Sequence, residues 1–351
     1  MMRAAVYHGR RDVRVQDWPE PPPPGPGEVR IEVSLASVCG TDADEYATGP
    51  HLIPLTAPHP GSGRTGPLVL GHEMVGRIVA VGAEAGQFAV GDRVVPGSGV
   101  SCGRCRRCSE GRTNLCASYY TVGLHADGGL AEQVNLPAAV CRPVGELPDE
   151  VAILAQPLAV ALHAVHGLGA GPGTSVVVLG AGGIGSLMIA ALAVAGVEVM
   201  VVDLAPARLD TARRLGAACV VDASTQDAVS AVRRWAGAEG ADAVVECSGA
   251  VPALRTAAAV VRRGGFLQLV GLHRDPTPLD LTRLVLDEIT LATSKVHVVD
   301  RDLPAALALL AAHPEIATES VGAPIALEDL VPLGLEPMAD GSAARKVIVK
   351  P

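Results

Sequence analysis

The chain has 351 residues, enough for two domains at ~100–200 residues each and for a sizeable buried core. Apolar residues make up 49% and charged residues 19%, which excludes a disordered chain. A net charge of −9 leaves no broad basic face to attract a phosphate backbone, so no nucleic-acid partner is expected.

The N-terminal MMRAAVYHGRRDV has neither an apolar h-region nor a small-residue cleavage site, and a cytoplasmic location is expected. The longest near-continuous apolar stretch, 184–197, is 14 residues, short of the ~18–20 that cross a bilayer, so no membrane partner is expected. The first ~150 residues are rich in Gly and Pro. They hold short alternating runs at 29–36 and 76–82, which predict a β-rich body with long loops. The tract PEPPPPGPGE at 19–28 reads as a rigid surface turn. Within this body stand Cys39, in SVCGTDADEY, and the pair His72–Glu73, in PLVLGHEMVG, 33 residues after it. Taken singly, a Cys or a His is more often a core residue than a ligand.

The segment CGRCRRCSEGRTNLC places Cys102, Cys105, Cys108 and Cys116 in a C-x2-C-x2-C-x7-C spacing. Where thiols stay reduced, such a cluster reads as a metal site before a disulfide framework. Four thiolates match the closed tetrahedral sphere of a structural zinc, with no position left for water or substrate. Arg104, Arg106 and Arg107 offset part of its negative charge. Cys219 and Cys247 lie in apolar strand-like runs and read as inert buried thiols, and Cys141 has no evident partner.

From residue 173 the texture changes to an alternation of buried strands and helices. Strands are predicted at 175–180, 197–203, 219–223, 242–249, 264–272 and 289–297, which describes a doubly wound parallel sheet. The chain then returns to the first domain and ends in the strand-like KVIVK. The loop VVVLGAGGIG sets Gly180, Gly182, Gly183 and Gly185 between the first strand and its helix, as the dinucleotide fingerprint requires. Asp203 closes the second strand, where a carboxylate accepts from ribose hydroxyls and repels a 2′-phosphate, so NAD is expected over NADP. Arg208 reads either as a cover for the adenine ring or as a solvated helix charge.

Together, CGTD at 39–42, GHE at 71–73, the four-cysteine loop, QPLAVALHAV at 156–165 and GAGGIG followed by Asp203 occur in one family's order. From residue 1 to 351 the chain resembles the zinc-dependent medium-chain alcohol dehydrogenases, and within them the polyol and (R,R)-2,3-butanediol dehydrogenase branch. The resemblance implies an α/β protein. A GroES-like β-rich catalytic domain would span 1–158 and 298–351, and a doubly wound Rossmann domain would span 159–297. It also implies two zinc ions, one catalytic and one structural, with NAD as the second cofactor. The catalytic zinc would lie in the cleft between the domains, held by Cys39 and His72 with Glu73 as ligand or close neighbour, and one position open to the substrate oxygen. Thr41 is then the hydroxyl that takes the alcohol proton, Asp42 the carboxylate that orients His72, and Lys346 a contact to the cofactor pyrophosphate. Family members commonly join their cofactor sheets edge to edge, so a homodimer or homotetramer is expected, with 289–297 as the edge strand.

Two positions depart from the family pattern. Gln156 stands where the polyol branch has a zinc-binding Glu, which weakens the ligand and removes one negative charge near the metal. Asp44 replaces the relay histidine, and its carboxylate is a poor base near neutral pH. The relay then runs through His51 or His59, or the proton leaves directly to solvent. The leading expectation is a zinc-dependent dehydrogenase that oxidises a small hydroxylated substrate, a secondary alcohol, vicinal diol or polyol, to the ketone. The alternatives are a biosynthetic dehydrogenase for a sugar or cyclitol hydroxyl, and a zinc- and nucleotide-binding module that has lost hydride transfer.

Overall fold

In the computed structural model, which describes residues 1–351, the alternation at 28–37 becomes a ten-residue strand, Glu28–Ser37. Its Val29, Ile31, Val33 and Leu35 are buried on one face, as the two-residue period of a strand demands. Strand Glu73–Val81 pairs with it antiparallel, setting Ile31 opposite Ile78 and Ser37 opposite Glu73. On its other side lies Ile348–Lys350, also antiparallel, with Ile348 opposite Ser37. Further strands extend this to a seven-stranded sheet over a core that includes Ile31, Met74, Ile78, Leu130 and Leu136. The hairpin Met2–Gly9 with Asp12–Trp18 forms a separate small sheet with Leu68–Val69.

Residues 175–293 build a six-stranded parallel sheet. Its order is Cys219–Asp222, Glu198–Asp203, Ser175–Leu179, Ala241–Glu246, Val261–Leu269 and Thr290–Thr293. The three central runs are buried almost without interruption because helices cover both faces of a doubly wound sheet. All six expected strands are present, the first three within one residue of their expected ends and the other three displaced by three residues or more at one end or both. The fourth stops at Glu246, because that carboxylate accepts from the N–H groups of Ser248 and Gly249 and turns the chain. The fifth begins early, at Val261, which pairs with Ala241, and the sixth is cut to Thr290–Thr293.

A second apolar segment, longer than the stretch at 184–197 but interrupted by polar residues, forms a helix. The helical stretch Asp149–Leu168, 20 residues, is long and apolar enough to cross a membrane, although 67% of its apolar window is buried in the protein as in a core helix. His163 and His166 interrupt the apolar run in sequence without interrupting the helix. The chain divides into two units, Met1–Ala159 with His297–Pro351, and Val160–Val296.

Candidate active site and metal centres

Antiparallel register explains how distant residues meet in the first unit. Ser37 ends one strand, Glu73 opens its neighbour, and Ile348 opens the strand on the other side, so the segments 37–39, 72–73 and 346–348 share one end of the sheet. Cys39 caps the helix Gly40–Thr48, and its N–H donates to Asp42 Oδ2 at 2.9 Å. The other oxygen of that fully buried carboxylate lies 3.4 Å from His72 Nδ1, which fixes the ring and leaves Nε2 as its ligating atom. The ligand atoms of Cys39, His72 and Glu73 all lie within 4.8 Å of one another.

Glu73 is 1% exposed and carries two partners that the sequence did not reveal. Ser37 donates its hydroxyl to Oε2, and Lys346 Nζ reaches Oε2 at 2.7 Å and Oε1 at 2.9 Å. Lys346, expected at the pyrophosphate, is 5% exposed and turned to Glu73 and to the carbonyl of Val38. Burial lowers the pKa of His72, but Asp42 and Cys39 raise it more and carry it well above the ordinary value. Lys346 is opposed by burial in the same way and is raised by Glu73 and Cys39. The pocket therefore holds positive charge strongly. Cys39, Asp42 and Glu73 thus bring three acidic side chains together beside the single lysine Lys346, a donor set that suits a divalent cation.

Thr41 Oγ1 lies 3.9 Å from Cys39 Sγ. Asp44 accepts from Thr48 Oγ1 at 2.9 Å, and that hydroxyl also lies 2.8 Å from His51 Nε2. The carboxylate of Glu45, fully buried, receives the N–H groups of His51 and Leu52 and holds the histidine in place. His51 is thus brought to Asp44, whereas His59 is engaged elsewhere: its ring stacks on His125 at 4.1 Å, and its Nδ1 accepts from Gly61 and Ser62. Gln156 is buried and donates from Nε2 to Ser98 Oγ at 2.9 Å. Thr48 and Ser98 were missed by sequence reasoning because a lone hydroxyl carries no spacing signal. Glu45 lies in the quoted SVCGTDADEY segment, one helical turn from Thr41, and that spacing was available.

In the four-cysteine loop the Sγ atoms of Cys102, Cys105, Cys108 and Cys116 lie within 4.8 Å of one another. Main-chain amides are aimed at the sulfurs: Cys102 N and Ser118 N both donate to Cys116. The N–H groups of Ala117 and Cys108 pull Cys105 down to about 6. Such amides favour thiolates, the form a metal binds.

In the second unit Gly180 takes φ 96°, open to glycine at little cost. A Cβ at Gly185 would come within 1.9 Å of the Gly180 carbonyl oxygen, so the helix Gly183–Val194 can start against the strand only with glycine there. A Cβ at Gly182 would meet nothing within 4 Å, which leaves open space over the loop and its helix N-terminus, where a pyrophosphate fits. Asp203 ties the loop to the next turn, accepting from Ala181 N at 2.7 Å and Ala205 N at 2.9 Å. Arg208 is half-buried on the helix Pro206–Arg214.

Comparison with known proteins agrees with this anatomy. Residues 25–148 match the alcohol dehydrogenase GroES-like domain, and residues 183–312 match the zinc-binding dehydrogenase family. The chain is 32% identical to (R,R)-butanediol dehydrogenase of Bacillus subtilis over 357 aligned positions, covering 100% of both chains. It is 34% identical to sorbitol dehydrogenase of the same organism over 300 positions, covering 83% of this chain and 81% of the relative. The crystal structure of 2R,3R-butanediol dehydrogenase from Bacillus subtilis superposes with a TM-score of 0.90 at 31% identity, covering 100% of both chains. The chain belongs to the zinc-dependent medium-chain alcohol dehydrogenases and is an oxidoreductase of that family.

Proposed function

We propose that the protein is a two-zinc dehydrogenase that moves hydride between a secondary alcohol, vicinal diol or polyol and NAD. The observation that carries this reading is the convergence of the ligand atoms of Cys39, His72 and Glu73 within 4.8 Å of one another, with Asp42 against His72 and Lys346 against Glu73. When bound, a zinc ion there supplies a Lewis acid that acidifies the alcohol, and NAD accepts the hydride. Cys39 and His72 would hold the ion. Asp42 fixes the His72 ring, and Lys346 with Ser37 sets how freely Glu73 can approach the ligand sphere. Thr41 takes the alcohol proton, and the hydrogen-bonded cluster of Asp44, Thr48 and His51 carries it toward solvent.

The preference for NAD rests on Asp203, whose remaining lone pairs would accept from ribose hydroxyls and whose charge would repel a 2′-phosphate. Gly180, Gly182, Gly183 and Gly185 would hold the pyrophosphate, and Arg208 would cover the adenine ring. Four thiolates at Cys102, Cys105, Cys108 and Cys116 hold the second, structural zinc, a chemistry suited to the reducing cytoplasm. The sixth strand, Thr290–Thr293, is an exposed edge, and Leu281, Val285, Leu286 and Leu291 are exposed on or near it, which favours pairing with a second copy.

A panel of diols, polyols, cyclitols and monoalcohols, followed by NADH absorbance with either cofactor, tests the activity. Oxidation of secondary alcohols or diols with NAD is expected, and a protein inactive on the whole panel would contradict it. Sedimentation as a monomer would contradict the assembly.

A further inference from the structure

We infer that Glu246 and His273 form a brace across the carboxyl end of the parallel sheet, and that this brace sets the affinity for the dinucleotide by holding one wall of its crevice. The inference rests on the NAD reading above. The strand order reverses between Ser175–Leu179 and Ala241–Glu246, which lie side by side with Leu179 opposite Glu246. In a doubly wound sheet the ligand lies in the crevice outside the carboxyl ends at that reversal, so the turn after Glu246 forms one wall of it. The wall stands against the glycine loop. Cys247 N donates to the Leu179 carbonyl at 2.9 Å, and a Cβ on Gly180 would come within 3.0 Å of the Ser248 Cβ.

Glu246 is fully buried, and its carboxylate anchors this wall. Oε1 accepts from Ser248 N at 2.7 Å, from Gly249 N at 3.0 Å and from the Ser248 hydroxyl. Oε2 accepts at 2.9 Å from Nε2 of His273, which belongs to the loop that follows the fifth strand. One carboxylate thus ties two loops, 247–249 and 270–273. They are closely packed: a Cβ on Gly271 would come within 2.2 Å of Gly249 N and 2.5 Å of Glu246 Oε2. The Glu246 carbonyl accepts in turn from Val270 N and Gly271 N. A buried carboxylate needs a donor at each oxygen, and His273 supplies the shorter contact to Oε2, with Gly249 N at 3.2 Å. Without the imidazole the charge loses that partner, and the second loop loses its side-chain tether. Both changes loosen the wall, and a crevice that must be ordered on binding holds its ligand less tightly. Glu246 and His273 are positioning residues, because they act through the main chain of the two loops.

The test measures the dissociation constant of NADH, from the rise of its own fluorescence on binding, for wild type, His273→Leu, His273→Asn and His273→Gln. KM for NAD, kcat and melting temperature are followed on the same samples. His273→Leu should weaken NADH binding about tenfold and raise KM for NAD in proportion, with kcat at saturating NAD within about twofold of wild type. Asn is polar but too short to reach Glu246, and it should behave as Leu does. Gln carries a donor at the reach of Nε2 and should stay within about threefold of wild type. An NADH dissociation constant within about twofold of wild type in His273→Leu or His273→Asn, or no recovery in His273→Gln, would overturn the inference and leave the NAD reading intact. So would a fall in melting temperature with NADH binding unchanged. A wild-type protein that binds no NADH would overturn the NAD reading and the inference together.

Discussion

The four-cysteine loop and the Cys39 pocket both gather metal-type ligands in one unit. The first draws its sulfurs from the 15 residues 102–116, and the second draws its groups from positions 37 to 346. In the loop, local spacing and main-chain amides are enough to bring four thiols together. In the pocket, the work is done by antiparallel register, which aligns Ser37 with Glu73 and Ile348. The loop has no free position and no proton path, whereas the pocket carries buried counter-charges and a chain of hydroxyl, carboxylate and imidazole groups. On the proposed function, the difference separates a site that holds structure from one that does chemistry.

The sharpest way to break this comparison is to remove a ligand from the pocket. Cys39→Ala or His72→Ala should lower kcat/KM by at least ~1000-fold while the fold survives, measured by NADH absorbance and circular dichroism. A variant retaining a tenth of wild-type activity would contradict the assignment. Next in size is Lys346→Met, which leaves the Glu73 carboxylate buried without its counter-ion and should destabilise the protein by ~3–5 kcal/mol in denaturant unfolding. The double variant Lys346→Met with Glu73→Gln should recover much of that loss, and a Lys346→Met protein as stable as wild type would show that the pair has no structural role.

For the loop the expected signature is reversed. Cys105→Ser should lower the melting temperature by roughly 5 °C or more, with kcat/KM of the surviving folded enzyme changed by less than about threefold. Unchanged stability with full zinc content would refute a structural role. The smallest expected effect lies in the nucleotide unit: Asp203→Ala should shift the NADP to NAD activity ratio upward by ~10-fold. Some stability should be lost as well, because Asp203 also holds Ala181 and Ala205. A wild-type enzyme already preferring NADP would show that the carboxylate does not select the cofactor.

The parallel sheet was legible because each of its strands is a contiguous apolar run and its glycine loop sits between the first strand and helix. The strand ends were not, since they depend on groups such as Glu246, whose carboxylate turns the chain after the fourth strand. Cys39, His72 and Glu73 were found through motif order, and neither composition nor spacing alone singled them out. What lay outside the sequence was pairing across the sheet. Lys346 was expected to reach out to a phosphate, yet its ammonium is turned to Glu73, a partner 273 positions away. Likewise Asp44 looked like a defective relay until the helix turn placed Thr48 and His51 against it.

The central claim is that the sheet-assembled pocket, and not only the cysteine loop, binds a divalent metal. Zinc content measured by atomic emission on purified wild type and Cys39→Ala, both with the four-cysteine loop intact, tests it most directly. The account predicts about two zinc ions per chain in wild type and about one in Cys39→Ala. One zinc in wild type, or two retained in Cys39→Ala, would contradict it.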